Sequence, residues 1–122
     1  MLVKINKESF PAEVMTSPEQ ISKGMMGRNS LDGCMVFKMK KGFHSFWMKD
    51  CIIPLDIVFV LNGKINRIHQ NCQPCDDECN ERFTGAADHV IEFPAGTASN
   101  WKQGDQVSMY LGTPQNPVDQ IS

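Results

Sequence analysis

The sequence predicts a mainly β fold, a single compact β-sandwich or barrel with one short helix. Three observations predict it. Short β-rich runs recur along the chain with turn residues between them, the spacing of a sandwich or barrel. The pair Asn62-Gly63 separates two strongly β-prone segments. A sharp helix start is carried by Ser17-Pro18-Glu19-Gln20. The size agrees. A chain of 122 residues and 13.7 kDa buries about two-thirds of its extended surface on folding, which supports one core and leaves no room for a second domain of any size.

Taken in order, Leu2 to Ile5 and Ala12 to Met15 read as short opening strands. Ser17 can accept from the free amides of a first helical turn, Pro18 suits its first position, and Gln20 completes a capping box. The helix is expected from Pro18 to Met26. Gly27 offers the left-handed residue that ends it, and Gly24 inside costs about 1 kcal/mol against alanine. Six further strands are expected at Cys34 to Met39, His44 to Lys49, Leu55 to Leu61, Lys64 to His69, His89 to Phe93 and Val107 to Leu111. Between the fifth and sixth β runs, Asn62 and Gly63 both tolerate the positive φ that a two-residue type I′ turn demands. The β domain is expected to span residues 1–112. Residues 113–122 then form a tail, because Pro114 and Pro117 cannot extend a sheet ladder.

Composition removes several partner classes. Twelve basic against fourteen acidic side chains give a net charge of −2, and no basic run exceeds Lys40-Lys41, so the concentrated positive field that phosphate backbones require is missing. Nucleic acid is not an expected partner. The longest apolar stretch, Ile57 to Leu61, is far short of the roughly 18 residues of a membrane span. Lys4, Asn6, Lys7 and Glu8 interrupt the first ten residues, so no signal-peptide core is read there and a cytoplasmic location is expected. Cys34, Cys51, Cys72, Cys75 and Cys79 are then expected as thiols or metal ligands, and an odd count leaves at least one unpaired.

The segment Phe46-Trp47-Met48-Lys49-Asp50-Cys51-Ile52-Ile53-Pro54-Leu55-Asp56-Ile57-Val58-Phe59 resembles the FWMKNTxxPLDxxF signature of the domain of unknown function 192 family. Thr16 to Gln20, Gly24-Met25-Met26 and Arg28 are similar to that family's TxxER, GLM and Arg. Gly33 to Phe37 is similar to its GMLF, Val90 to Gly96 to its VLELPAG, and Gly104-Asp105 with Val107 to its GDxV. The resemblance covers most of residues 12–110 and implies a mainly β sandwich or barrel with one short helix and no agreed activity. Two departures stand out: Asp50-Cys51 replaces the family's Asn-Thr, and the leader that commonly precedes its members is not read here.

Two constellations are candidates for function. On an extended segment Trp47 and Lys49 project to one face and Met48 and Asp50 to the other, with Pro54 interrupting the ladder nearby. Trp47, Lys49, Asp50 and Asp56 are therefore candidate ligand contacts, joined by Arg28 and Glu92. Each has an ordinary structural role as well: a core Trp, an Asp bracing a turn, an Arg bracing the loop after a helix, a Glu alternating outward from a strand. Of the eight methionines, Met25, Met26, Met35, Met39 and Met48 are read as core filling. His44, His69 and His89 with Ser45 and Cys51 could supply a nucleophile and base, but no local hydrolase signature accompanies them.

The second constellation is His69, Cys72, Cys75 and Cys79, four ligand types that could take zinc tetrahedrally, though crowded on one short loop. A disulfide, a redox pair and unligated thiols are the alternatives. Pro74-Cys75 and Cys79 are similar to a family loop whose cysteines, in exported relatives, suit a disulfide. The expected function is a small binding module for a small molecule or protein, with its cleft around Trp47, Lys49 and Asp56. The alternative is a metal- or thiol-dependent enzyme or redox protein using the cysteine loop.

Overall fold

A computed structural model describes residues 1–113 and 116–120 of the chain. In chain order the elements are β1 Leu2–Ile5, β2 Glu8–Met15, α1 Pro18–Lys23, β3 Cys34–Phe46, β4 Leu55–Leu61, β5 Lys64–Cys72, β6 Phe83–Pro94, β7 Val107–Thr113 and β8 Asn116–Gln120. The strands form one sheet in the order β5-β4-β6-β3-β2-β1-β7-β8, antiparallel except for β2 with β3, which α1 joins as a parallel pair. The mainly β class is met as a sheet curled into a half-barrel. One rim is tied across the curl: the Ile65 N–H donates to the Asp105 carbonyl at 2.8 Å, and the Gly104 N–H donates to the Ile65 carbonyl at 2.8 Å. No helix among the described residues is long and apolar enough to cross a membrane.

Local chemistry accounts for the well-placed elements. Asn62 and Gly63 sit at φ 53° and 75° and join β4 to β5 as the type I′ turn requires. In the capping box the Gln20 N–H donates to Ser17 Oγ at 3.2 Å, and the Ser17 N–H donates to Gln20 Oε1 at 3.1 Å.

Several boundaries differ from expectation: β2 starts earlier at Glu8, β5 runs on to Cys72, β6 starts earlier at Phe83, and three differences are larger in kind. The helix ends at Gly24, not Gly27: Gly24 has φ 45°, its N–H donates to the Gln20 carbonyl at 2.9 Å, and a Cβ there would stand 3.2 Å from the Phe37 ring. Close packing of the turn on β3 stops the helix one turn early, which frees Met25 and Met26 from it. The expected runs Cys34 to Met39 and His44 to Lys49 are joined in one strand, β3, which ends at Phe46 and leaves Trp47 to Lys49 outside it. It shifts register between Lys38 and Gly42 and continues on β6, so Met39-Lys40-Lys41 bulges instead of turning. Finally, Asn116–Gln120 pairs with β7 where a tail was expected. Pro117 is tolerated because β8 is an edge strand. Residues 114–115 and 121–122 of that expected tail lie outside the described residues.

Strand β4 and the stretches 34–37 of β3 and 90–93 of β6 are buried on both faces. On one face Val36, Val58, Val60, Ile91 and Phe93 pack with Val3, Ile5, Trp101 and Val107. On the other, Met35, Phe37, Ile57, Phe59 and Val90 pack with Met25, Met48 and Phe83. Burial on both sides is why β4 reads as an unbroken apolar run after Asp56 rather than an alternation.

Candidate functional site

Asp56, placed by sequence in the cleft, faces the first of these cores and is 0% exposed. Its Oδ1 accepts the Asn71 N–H at 2.8 Å, and its Oδ2 accepts the Gly96 and Ala98 N–H groups at 3.0 and 2.8 Å. Three backbone donors engage both carboxylate oxygens, so it pins the end of β5 and the turn after β6. Arg28 is likewise engaged, in a two-pronged pair with Glu13 at 2.8 and 2.7 Å. That hydrogen bonding holds the Glu13 carboxyl below its ordinary range. Asp50 is exposed and sits at φ 57°, a left-handed conformation that Asn and Asp adopt more readily than most residues. Its N–H donates to the Cys75 carbonyl at 2.8 Å and its carbonyl accepts the Gly27 N–H at 2.9 Å. Backbone conformation thus accounts for an Asx residue there.

The four candidate zinc ligands are not brought together as a tetrahedral set. Cys75 and Cys79 form a disulfide. Cys72 is buried, with its Sγ donating to the His69 carbonyl at 3.4 Å. The His69 ring meets Phe59 and Phe83 edge-on, and its Nε2 lies 2.9 Å from the Thr84 carbonyl. Among the described residues no group of three or more His, Cys, Asp or Glu side chains could hold a metal ion. The free thiols are also poor nucleophiles. Burial pushes Cys34 and Cys72 up to about 12, and burial, then Glu92 and Asp50, push Cys51 up to about 11.

What the fold does bring together lies on the second face. Gly24 ends α1, so Met25 and Met26 lie beside Phe37 and Met39 of β3, while β3 ends at Phe46 and releases Trp47 to Cys51 as the opposite wall. The resulting cleft has a volume of about 220 Å³. Trp47 is 39% exposed, with the Lys49 ammonium 5.2 Å and the Arg82 guanidinium 4.5 Å from its ring centre. Met48, the next residue, points the other way and is buried. Trp47 and Lys49 thus share a face as expected, although on an irregular segment and without Asp56.

Glu92 lies on the lining and is only 4% exposed. Alternation along β6 suggests an outward side chain, but the face it turns to is covered by α1 and the Trp47 segment. Directly across from it stand Met35 on β3 and Ile57 on β4, neither able to donate a hydrogen bond. Glu92 Oε1 is sealed from solvent without any hydrogen-bond partner. Burial raises the carboxyl from its ordinary 4.5 to about 8, so at neutral pH it is mostly an uncharged acid able to donate its proton. Cys51 also lines the cleft. Sequence reasoning missed Lys23, Ser45, Met26 and Met39 as lining residues. The one local signal for the methionines is a glycine directly after a capped helix, which was read as interior.

The chain's relatives have this architecture. The family model DUF192, described as uncharacterised ACR, matches residues 1–109. No curated protein matches. A protein of unknown function from Novosphingobium aromaticivorans has a similar crystal structure, with a TM-score of 0.76 and 28% identity over 87% of this chain and 82% of that one. Another, from Sinorhizobium meliloti and described as a proposed transcription regulator, is similar with a TM-score of 0.80 and 25% identity over 87% of this chain and 90% of that one.

Proposed function

Since the chain belongs to the DUF192 family, uncharacterised by its own description, we propose a function from the cleft itself: a small binding module whose ligand sits between α1 and the Trp47–Cys51 segment. The observation that carries this is Glu92. A buried polar group without a partner costs about 1 to 3 kcal/mol, and an apolar side chain like its neighbours Met35 and Ile57 would avoid that cost. A carboxyl kept on the floor of a cleft at such a cost is explained by a ligand that bonds its other oxygen.

The alternative, an enzyme or redox protein using the cysteine loop, has the Cys75–Cys79 bond in its favour and the raised pKa of every free thiol against it. Gene regulation, suggested by one solved neighbour, finds no support in a net charge of −2. The test is a thermal-shift screen of metabolites and sugars, since a ligand selective for the native state stabilises it by RT ln(1 + [L]/Kd). Hits should lose at least tenfold in affinity to Trp47→Ala and to Glu92→Leu. Hits that bind both variants undiminished would move the site elsewhere.

A further inference from the structure

We infer that the ligand of this cleft is a small anion with an apolar body and an uncharged oxygen, hydroxyl or carbonyl, at the end that enters first. The inference rests on the cleft being the binding site and comes from how charge is laid along its depth. At the mouth stand Lys23, exposed at the end of α1, and half-buried Lys49. Among the described residues neither lysine forms a salt bridge, and the lining's one carboxyl, Glu92, lies deep. Two unpaired ammonium groups make the entrance attractive to an anion and repulsive to a cation. Between mouth and floor the walls are Met25, Met26, Phe37 and Phe46, which can accept an apolar body but no charge.

The floor decides the inner end. Glu92 Oε1 is shut away from solvent with no donor beside it. If the group ionised to meet a cation, that oxygen would become an unpartnered buried anion even while the other oxygen paired, and such burial is expensive. The protonated acid avoids this, and its O–H needs an acceptor, which a hydroxyl or carbonyl oxygen supplies. An amine would thus be opposed twice, by the lysines on entry and by the sealed oxygen at the floor. The volume of about 220 Å³ falls below the roughly 300 to 1,000 Å³ of clefts for drug-sized ligands, which limits the ligand to a small metabolite.

Four linear probes of equal chain length separate these features: ω-hydroxyhexanoate, hexanoate, hexanediol and ω-aminohexanol. Binding is followed by NMR titration of the full chain, reading the Trp47 indole N–H and the Met26 methyl. The ω-hydroxyhexanoate should bind at least tenfold more tightly than hexanoate or hexanediol, and ω-aminohexanol most weakly. Joint replacement Lys23→Met and Lys49→Met, both away from the core, should erase the advantage of ω-hydroxyhexanoate over hexanediol. Glu92→Leu should erase the advantage over hexanoate, and Glu92→Gln, which still donates, should keep most of it. Tightest binding by ω-aminohexanol, or binding of ω-hydroxyhexanoate that ignores the loss of both lysines, would overturn the ligand class while leaving the cleft as the site. If none of the four probes moves either signal, the cleft reading falls with it.

Discussion

The two faces of the central strands differ most in how each treats a buried carboxyl. On the face closed by β1, β7 and Trp101, Asp56 accepts three backbone N–H groups. Around it Phe10, Phe93 and Trp101 stack edge-to-face with ring centres 4.9 to 5.6 Å apart. On the face closed by α1 and loops, Glu92 has methionine and isoleucine opposite it, an oxygen with no partner, and a cleft in front. Both groups are almost wholly buried and close in register, Asp56 opposite Phe93 and Ile57 opposite Glu92. Burial alone therefore does not separate a fully bonded carboxyl from one left without a partner. The count of its partners does.

Four experiments break or sharpen that contrast. The largest effect is expected from Asp56→Ala, which strands three backbone donors and should cost at least about 3 kcal/mol in urea unfolding; a loss below about 1 kcal/mol would show that Asp56 is not the brace it is taken for. Next comes the pH dependence set by Glu92. Its folded pKa of about 8 lies above the ordinary 4.5, so between those values the folded state holds a proton that the unfolded state has lost. Stability should fall as pH rises across this window, by at most about 1.4 kcal/mol per unit and a few kcal/mol in all. Cys51, pushed up to about 11, does not titrate there. Unfolding curves at pH 5 and pH 8 should separate for the wild type and coincide for Glu92→Gln.

A smaller effect is expected from Cys75→Ser, since closing so short a loop stabilises by about 2 kcal/mol or less. The loss should be local, because Cys75 is bonded through its backbone to Met48 and Asp50. Hydrogen exchange should quicken at Asp50 and Cys51 and stay unchanged in β4; acceleration throughout the sheet would count against the loop as a wall support. The smallest is Trp47→Ala. With its ring partly exposed, unfolding should change by no more than about 1 kcal/mol, far below the roughly 3 to 5 kcal/mol of a core aromatic, while ligand binding is lost.

Features written in neighbouring residues were legible. Ser17 to Gln20 and Asn62-Gly63 form their cap and turn from side chains and φ preferences within a few positions, and their placement follows from local chemistry. Features that depend on what lies across the sheet were not. Lys40-Lys41-Gly42 looks like a turn until β6 is there to carry β3 past it. Gly24 looks like a weak point in a helix until Phe37 lies beneath it. Glu92 was singled out as a candidate, yet the alternation of β6 could not reveal that its second face is also covered. Asp56 was placed with Trp47 because they share a motif, and the strand sends them to opposite faces. The pairing of Cys75 with Cys79 was one alternative among several, because spacing does not say which sulfurs meet.

The order of the sheet also carries a consequence for assembly. β1 finds β2 a few residues away, but its other neighbour is β7, with Leu2 opposite Tyr110. The hairpin at Asn62-Gly63 and the β2-α1-β3 unit can form from nearby chain, whereas Val3 and Ile5 stay uncovered on one edge until Val107 and Met109 arrive. Such distant pairing must close a long loop before any contact repays it, which places folding on the order of milliseconds to seconds. The face that holds Asp56 thus depends on the pairing most distant in sequence, although it is the more completely bonded of the two once the chain is folded.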